Sequence, residues 1–487
     1  MKMIRLPSKL ILISLIVVIG AFSLWINKRP GVFKSPNIIL FSADTLRADH
    51  LSCYGYFRKT SPNIDAFAKD SVLFQNAISQ APSTVPAHMS IFTSLTPSVH
   101  LCKFDPSNGR INILRLDEKI KTLPLLLKKR GYLTLGFHGG DNMERIFGFD
   151  KGFDSYRFWG DLREPKSGLE DVHKAIQESK EKGKPLFLFL HNFICHSPYL
   201  RSPPEFNLKF LSERVAGLPV SENDLRMADL FSENDLRMTN PWPFLNKAFW
   251  KNVDLSNPQH LNHVISLYDG GISYEDYIFG KVVEILKKEK FYDNSIIIFL
   301  SDHGEEFYEH SGRGHGRLFI EHLHVPLIIK FPGNRFGARV IHEWVRTMDI
   351  MPTLFDLLNI SIKNIIQGVS FSPLITGKGG YAPLIVSYRG VPGSFEVGFI
   401  KGFFDYFYMG GGKTMEEWLF DIKKDPLEKN NLAVKQTGIT DPMRFMVKDI
   451  KAGDKTVREK IGSKVTMASI PKDDKLVSRL KSLGYLQ

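Results

Sequence analysis

The chain has 487 residues, of which 43% are hydrophobic and 24% charged, and its formal net charge is +12. This composition is typical of a folded globular protein, and the length predicts one large domain with a smaller one. The positive charge would suit nucleic acid, an anionic membrane surface or an anionic substrate. Because the chain has no long Lys/Arg tract and no RNA-binding aromatic motif, we expect solvated surface charge and no nucleic-acid partner.

Residues 1–30 have the charge pattern of an export segment. Basic residues precede an uncharged apolar run from Leu10 to Ile26, and Lys28 and Arg29 follow it. We predict that residues 1–30 form an uncleaved signal anchor, with a cleaved signal peptide as the alternative. The predicted localisation is membrane-anchored through this N-terminal helix, with an exported catalytic domain in the periplasm or outside the cell.

From Pro36 onward, short apolar runs alternate with helix-like segments, which predicts a parallel sheet covered on both faces. The candidate strands are residues 37–42, 132–137, 186–192, 295–300 and 325–330. In such folds ligands bind beyond the carboxyl ends of the strands. The residues that follow each strand are therefore the candidates for a site.

Residues 376–380, with the sequence Thr-Gly-Lys-Gly-Gly, predict a boundary between two domains. We expect a catalytic domain over residues 36–378 and a C-terminal subdomain with a tail over residues 379–487. Alternating apolar and polar residues at 395–400 and 403–409 predict a small antiparallel sheet with helices in that subdomain.

Asp44 follows the first predicted strand, in the segment Ser42-Ala-Asp-Thr-Leu-Arg-Ala-Asp-His50. A carboxylate at the end of a buried strand is costly unless a cation pairs with it, which favours Asp44 as a metal ligand. The position would equally suit an Asp that caps the next helix. The segment alone leaves both interpretations open.

Thr84 begins the segment Thr84-Val-Pro-Ala-His88, in which Pro86 predicts the first turn of a helix. Thr84 then lies at or just before the helix N-terminus, where backbone N–H groups and the helix dipole favour an anion. A hydroxyl held there beside a cation ionises more easily and can attack phosphorus. An ordinary N-cap role for Ser83 or Thr84 is the alternative.

Asp302 and His303 leave the predicted strand 295–300 together, and adjacent oxygen and nitrogen donors can bind one metal ion at a strand end. His315 follows in a glycine-rich turn, where an imidazolium could approach a bound oxyanion closely.

Two further histidines come at the end of the predicted strand 186–192. His196 is a candidate general acid for the leaving group. We expect His191 to be a hydrogen-bonded structural histidine.

These four segments, in this order and at these separations, resemble the sulfatase branch of the alkaline-phosphatase superfamily over nearly the whole chain after the anchor. Residues 347–353 and 419–432 resemble the late catalytic and C-terminal regions of that family. The resemblance implies an α/β fold, with an alkaline-phosphatase-like, doubly wound and mostly parallel sheet and a small C-terminal α+β subdomain.

The resemblance also implies the residues of a site that binds one divalent metal ion. The metal ligands would be Asp44, Thr84, Asp302 and His303. The catalytic residues would be Thr84, His196, His315 and His88. His88 stands where the family often has Arg. Because imidazole suits the softer ions, Mn²⁺ or Zn²⁺ is favoured and Ca²⁺ is the alternative.

The segment at Thr84 departs from the family pattern. Typical sulfatases have a Cys or Ser that is oxidised to formylglycine, which a threonine cannot become. Relatives of the threonine type include phosphodiesterase-like hydrolases and the phosphoethanolamine and glycerol-phosphate transferases, so the resemblance leaves phosphate and sulfate both open.

We therefore predict a metal-dependent hydrolase or transferase of phosphate or sulfate esters, with Thr84 as nucleophile and a covalent intermediate. The substrate would be an anionic ester, whether a phospholipid, a glycan or a small aryl or alkyl ester. The alternatives are a sulfuric ester hydrolase that works without formylglycine, and a catalytically silent, membrane-tethered protein that binds anions.

Overall fold

The computed structural model describes residues 33, 35–105, 112–159, 165–212, 214–221, 224, 242–391, 394–409 and 416–468. In these ranges the strands are β1 (Asn37–Ala43), β2 (Val72–Ile78), β3 (Lys103–Asp105), β4 (Asn112–Arg115), β5 (Leu133–His138), β6 (Ser155–Phe158), β7 (Leu186–Asn192), β8 (Ser295–Ser301), β9 (Glu306–Phe307), β10 (Arg313–Gly314), β11 (His324–Lys330), β12 (Arg339–Arg346), β13 (Ile385–Val391), β14 (Ser394–Lys401), β15 (Phe404–Met409), β16 (Glu416–Asp421) and β17 (Thr466–Met467). The α-helices are α1 (Pro62–Lys69), α2 (Thr84–Thr93), α3 (Pro97–His100), α4 (Leu123–Lys128), α5 (Pro165–Lys182), α6 (Pro204–Asn207), α7 (Trp242–Lys251), α8 (Pro258–Lys288), α9 (Ile320–Leu323), α10 (Ile350–Leu357), α11 (Ser372–Ile375) and α12 (Thr437–Ile461).

The central sheet of the described chain has the strand order β12-β2-β11-β8-β1-β7-β5-β6. β1 is parallel to β7 and to β8, and β5 is parallel to β6 and to β7. β12 is parallel to β2, whereas β11 is antiparallel to both of its neighbours. The predicted mostly parallel sheet is therefore confirmed, and each of the five predicted strands lies within one residue of its expected ends.

Alternate residues of β1 pack into two separate hydrophobic cores. Ile38 lies in one core with Phe92 of α2, and Ile39 lies in the other with Phe279 of α8. Burial of side chains of this size contributes about 1.5–3 kcal/mol each, so both faces of the sheet must be covered. The helices on both faces confirm the doubly wound α/β fold.

The C-terminal subdomain is a four-stranded antiparallel sheet, in the order β13-β14-β15-β16, followed by α12. It joins the catalytic domain through short polar contacts. Ser387 Oγ donates to the carbonyl of Ser79 at 2.6 Å, and the N–H of Tyr388 donates to the carbonyl of Gln80 at 2.8 Å. A small C-terminal α+β subdomain is confirmed, while the boundary at residue 378 stays a prediction.

The membrane-anchored localisation requires a correction. None of the helices in the part of the chain that the structure describes is long and apolar enough to cross a membrane. The longest, α8, carries Asp269, Glu275 and Asp276 among its buried residues, and buried carboxylates of this kind oppose insertion into lipid. The predicted anchor over residues 1–30 lies outside the described residues. The described helices give no support to the predicted membrane attachment.

Candidate metal and catalytic site

Two carboxylates meet where neighbouring strands end. Ala43, the last residue of β1, pairs with Ser301, the last residue of β8, so Asp44 and Asp302 follow in adjacent positions. The N–H of Thr45 donates to Asp302 Oδ1 at 3.4 Å. Both carboxylates are fully buried. The parallel register of the sheet thus places two acidic groups at its carboxyl edge.

The turn after Asp44 is strained and firmly held. Thr45 has a φ of 58°, in the left-handed region that a β-branched residue rarely adopts. Tyr268 of α8 donates its hydroxyl to the carbonyl of Thr45 at 2.7 Å, and it accepts the N–H of Arg47 at 2.9 Å. These contacts fix the direction in which Asp44 leaves the strand.

Thr84 is the first residue of α2, as the sequence predicts, and its side chain is turned into the site. Its Oγ1 donates to Asp44 Oδ2 at 3.2 Å and lies 3.4 Å from His303 Nε2. Ser83, at the N-cap position, makes no capping hydrogen bond through its side chain. The Thr84 hydroxyl therefore faces the acidic cluster, where its role is not that of a helix cap.

His303 directs an unprotonated ring nitrogen, Nε2, towards Asp302 and the Thr84 hydroxyl. Its Nδ1 lies 3.0 Å from the carbonyl oxygen of Gly304, which can only accept, so Nδ1 carries the proton and Nε2 does not. His303 Nε2 lies 3.4 Å from Asp302 Oδ2. An unprotonated imidazole nitrogen is the form that binds a metal ion.

Burying the carboxylates of Asp44 and Asp302 without a cation is energetically unfavourable. Burial raises the pKa of Asp44 to about 7, and burial together with the charge of Asp44 raises the pKa of Asp302 well above its ordinary value. Among the described residues, Asp44 Oδ1 and Asp302 Oδ2 have no hydrogen-bond partner. Orphaned buried carboxylate oxygens cost free energy unless a cation binds them.

The donors at this point fit one divalent cation. Ligand atoms of Asp44, Asp302 and His303 all lie within 4.8 Å of one another. The Thr84 hydroxyl borders the same space, so the four metal ligands predicted from the sequence come together. Two carboxylates and an imidazole are compatible with Mn²⁺ or Zn²⁺ and do not exclude Ca²⁺.

His88 lies beside this cluster, fully buried on the first turns of α2. Its Nδ1 donates to the carbonyl of Thr84 at 3.0 Å, and its Nε2 accepts the hydroxyl of Ser42 at 2.9 Å. Burial holds the pKa of His88 well below its ordinary value, so the ring is neutral. Both nitrogens are committed to the protein, and neither faces the Thr84 hydroxyl.

His191 has a closer connection to the site than its predicted structural role implies. The N–H of Gly139 donates to His191 Nδ1 at 3.4 Å, which places the ring proton on Nε2. His191 Nε2 lies 3.3 Å from Asp44 Oδ2 and donates to it. His191 lies at the carboxyl end of β7, beside β1. This position in the predicted sheet could have indicated that His191 orients Asp44.

His196 and His315 lie together on the open side of the cluster, with ring centroids 5.3 Å apart. The His315 ring is 4.5 Å from that of His303. The two histidines predicted to contact the transferred group or the leaving oxygen are therefore next to the candidate metal site.

The two rings have opposite protonation tendencies. Burial, with the nearby charges of His315 and Arg201, lowers the pKa of His196 to about 3. Its Nδ1 donates to the carbonyl of Ser197 at 2.9 Å, which leaves Nε2 as an acceptor. Burial also opposes charge on His315, but the adjacent Glu305 raises the pKa of His315 overall. The pKa of His315 is therefore shifted towards the protonated form, and that of His196 towards the neutral form.

Glu305 is a further acidic residue of the site, and the sequence patterns did not predict a role for it. It is fully buried, and its Oε1 lies 3.4 Å from His315 Nδ1. Glu305 follows Asp302 and His303 in the same sequence motif. An acidic residue this close to two predicted metal ligands could have been predicted to take part in the site.

A second acidic group lies nearby but has a different character. Glu306, His310 and Glu321 bring potential ligand atoms within 4.8 Å of one another. However, His310 Nδ1 is 2.8 Å from Glu321 Oε1, and its Nε2 is 3.0 Å from the carbonyl oxygen of Glu428. Because both partners only accept, His310 is doubly protonated and has no lone pair for a metal ion. This group is a buried ion pair.

Two family models match this chain. The family model described as "Sulfatase" matches residues 36–360, which is more than half of the chain. The model described as "N-sulphoglucosamine sulphohydrolase, C-terminal" matches residues 313–452.

Similar proteins extend over most of the chain. An arylsulfatase of Clostridium perfringens is 24% identical over 82% of this chain and 90% of its own length. An N-acetylglucosamine-6-O-sulfatase of Bacteroides thetaiotaomicron is 23% identical over 83% of this chain and 84% of its own length. The crystal structure of a phosphonate monoester hydrolase of Agrobacterium radiobacter has the same fold, with a TM-score of 0.66 and 22% identity, and covers 86% of this chain and 96% of its own.

Proposed function

Because the chain belongs to the sulfatase family, we propose that it is a metal-dependent hydrolase of anionic esters in which Thr84 is the nucleophile. Membership confirms the predicted ester hydrolase enzyme. The threonine nucleophile, the metal dependence and the transferred group belong to the proposal.

The position of the Thr84 hydroxyl is the main support for this proposal. The Thr84 hydroxyl lies 3.2 Å from Asp44 Oδ2 and 3.4 Å from His303 Nε2, at the N-terminus of a buried helix. Backbone N–H groups at that end favour the negative charge that an attacking alkoxide and a transferred oxyanion both carry. A threonine with a structural role alone would have no need of a buried acidic cluster around its hydroxyl.

The residues suggest a two-step reaction. Thr84 Oγ1 attacks the phosphorus atom, its proton passes to Asp44 Oδ2, and the bond from phosphorus to the leaving oxygen breaks. Water then attacks the phosphothreonine and releases the free acid, which restores the hydroxyl; an alcohol acceptor at this step would make the enzyme a transferase. A divalent cation held by Asp44, Asp302 and His303 would lower the pKa of a hydroxyl in contact with it and neutralise charge on the transferred oxygens.

We assign different roles to His315, His196 and His88. His315, whose pKa the adjacent Glu305 raises, would donate a proton to the leaving oxygen. The predicted general acid, His196, presents an unprotonated Nε2 and suits acceptance of a hydrogen bond from substrate or water. We assign His88 to positioning Thr84, because its contacts reach the carbonyl of Thr84 but not its hydroxyl.

Sulfate ester hydrolysis is the second candidate function. It is favoured by the names of the similar proteins, an arylsulfatase and an N-acetylglucosamine-6-O-sulfatase, whereas the phosphonate monoester hydrolase favours phosphorus. The same residues would serve a sulfate ester of a glycan or of a small alcohol, with Thr84 attacking sulfur without conversion to formylglycine.

The test is turnover of matched 4-nitrophenyl esters of phosphate, phenylphosphonate and sulfate, and of the bis(4-nitrophenyl) phosphate diester, by the full chain with added Mn²⁺, Zn²⁺ or Ca²⁺. We expect turnover to require a cation and Thr84→Ala to lower kcat by about 10³-fold or more. Thr84→Ser keeps the hydroxyl and should retain measurable activity.

The control is Thr93→Ala, which removes an equally buried threonine hydroxyl at the other end of the same helix. It should leave kcat within about threefold of the wild type, because Thr93 Oγ1 donates to the carbonyl of Met89 and accepts the N–H of Leu95, both away from the site. Full cation-dependent turnover by Thr84→Ala would exclude Thr84 as nucleophile. Cation binding with no turnover of any ester would support the anion-binding alternative.

A further inference from the structure

The open side of the site carries an arginine that the proposed chemistry does not use. Arg313, on β10, lies two residues before His315 and is exposed. Its guanidinium lies over the ring of Trp250, with 4.5 Å from Cζ to the ring centroid. Stacking of this kind holds an arginine in place at low entropic cost while its N–H donors stay accessible.

Arg313 differs from its neighbours in having no acidic partner. Arg47 pairs with Glu309 at 2.5 Å, and Arg317 pairs with Glu306. No carboxylate among the described residues forms an ion pair with Arg313, and no carboxylate influences its pKa. The acidic residues of this loop are thus already neutralised by other cations, and the charge of Arg313 is available.

Trp250, on which Arg313 stacks, is connected to His196 through Ser197. Trp250 Nε1 donates to Ser197 Oγ at 3.0 Å, and Ser197 is the neighbour of His196. The ring of Phe193 lies 5.7 Å from that of His196 and contacts a second arginine, Arg201, whose Cζ is 5.9 Å from the Phe193 centroid. Arg313 is thus connected to His196 through Trp250 and Ser197, and Arg201 is connected to it through Phe193.

We propose that Arg313, assisted by Arg201, binds a second anionic group on the leaving-group side of the substrate. The inference rests on the proposed function and narrows its substrate class to esters that carry a sulfate, phosphate or carboxylate in addition to the ester that reacts. Planar guanidinium groups match these oxyanions in a bidentate manner. A neutral leaving group would offer no acidic group to the Arg313 guanidinium.

The test is equilibrium binding of aryl sulfonates, which no hydrolase of this kind can cleave, to the full chain by calorimetry. Benzenesulfonate presents one anion, benzene-1,3-disulfonate presents two, and 3-sulfobenzoate replaces the second sulfonate with a carboxylate. We expect the disulfonate to bind about tenfold more tightly than the monosulfonate. Arg313→Gln should abolish most of this preference and leave monosulfonate binding unchanged.

The matched control is Arg335→Gln, because Arg335 is also exposed and stacked, with Cζ 5.2 Å from the Phe336 centroid, but follows β11 at the opposite edge of the sheet. This variant should keep the preference. Tighter binding of 3-sulfobenzoate than of the disulfonate would assign the second group as a carboxylate, and the reverse would assign it as a sulfate or phosphate.

Equal affinity for one and two anions in the wild type, or a preference that survives both Arg313→Gln and Arg201→Gln, would overturn the inference. The binding assay is independent of turnover. Absence of ester hydrolysis would therefore count against the proposed function, while a preference lost in Arg313→Gln would still support the second anion site.

Discussion

At the scale of single residues, His88 holds the proposed nucleophile, Thr84, in place without contacting its hydroxyl. The ring bridges the carbonyl of Thr84 and the hydroxyl of Ser42, which belong to α2 and β1. Its Nδ1 also lies 3.4 Å from Asp302 Oδ2. The imidazole thus joins the helix that begins at Thr84 to the two strands that end just before Asp44 and Asp302.

This arrangement predicts the effect of His88→Ala. The substitution leaves the buried Ser42 hydroxyl without its acceptor and opens a cavity between helix and sheet, so we expect a loss of about 2–4 kcal/mol in the free energy of unfolding. Urea unfolding followed by circular dichroism measures it. Ser42→Ala, which removes one hydrogen bond and little volume, should cost about 1 kcal/mol. Equal stability of His88→Ala and the wild type would refute the bridging role.

At the scale of elements, the C-terminal sheet contacts the loop that follows the catalytic motif. Glu428 Oε2 accepts the N–H of Ile320 at 2.9 Å, and the Glu428 carbonyl accepts the Nε2 proton of His310 at 3.0 Å. Its carboxyl group also interacts with that of Asp405 on β15. Two buried acidic groups in contact cannot both ionise cheaply, so they share a proton.

This pair predicts a pH dependence of stability. Burial raises the pKa of Asp405 to about 7, from an ordinary 3.8. A carboxyl group whose pKa is higher in the folded than in the unfolded state binds more protons when folded, so stability falls as the pH rises between these two values. We expect Asp405→Asn, whose amide donates to Glu428 at every pH, to be about 2–4 kcal/mol more stable than the wild type at pH 8.

The gain from Asp405→Asn should disappear near pH 4, where the wild-type pair is protonated. Urea unfolding at a series of pH values between 4 and 8 measures this slope. Asp449→Asn, at an exposed position of α12, should follow the wild type throughout. A stability difference that is the same at every pH would contradict the shared proton.

At the scale of the whole molecule, the site depends on the sheet for its assembly. Asp44, His191 and Asp302 come from the ends of β1, β7 and β8, which are adjacent in the sheet but far apart in the chain. A cation bound by Asp44 and Asp302 would join two strands that hydrogen bonds already connect, so its binding free energy would add to folding stability.

Metal removal should therefore lower the thermal stability of the full chain. At a free Mn²⁺ or Zn²⁺ concentration of 100 times Kd, the added stability should be about 2.7 kcal/mol, visible as an increase in Tm after chelator treatment and readdition. In Asp302→Asn the increase should largely vanish, because the variant loses an anionic ligand. The same increase in Asp302→Asn and the wild type would locate cation binding elsewhere.

The amino-acid sequence by itself determined the strands β1, β5, β7, β8 and β11, because a strand buried on both faces is an apolar run whose ends are marked by polar residues. It also predicted a metal-ligand set, since Asp44, Thr84, Asp302 and His303 lie in local segments whose chemistry and order resemble one family; that these residues bind a metal ion stays a prediction. The helix start at Thr84 follows from local preference at Pro86.

Only the tertiary structure decided which side chains act on which atoms. The contact of His191 with Asp44, the burial of Glu305 beside His315 and the turning of His88 away from the Thr84 hydroxyl all depend on strand order and on the packing of α2 against the sheet. The stacking of Arg313 on Trp250 joins a hairpin to a helix more than sixty residues earlier in the chain. Such contacts are set by long-range packing, and a pattern in a short segment carries no information about its partner across the fold.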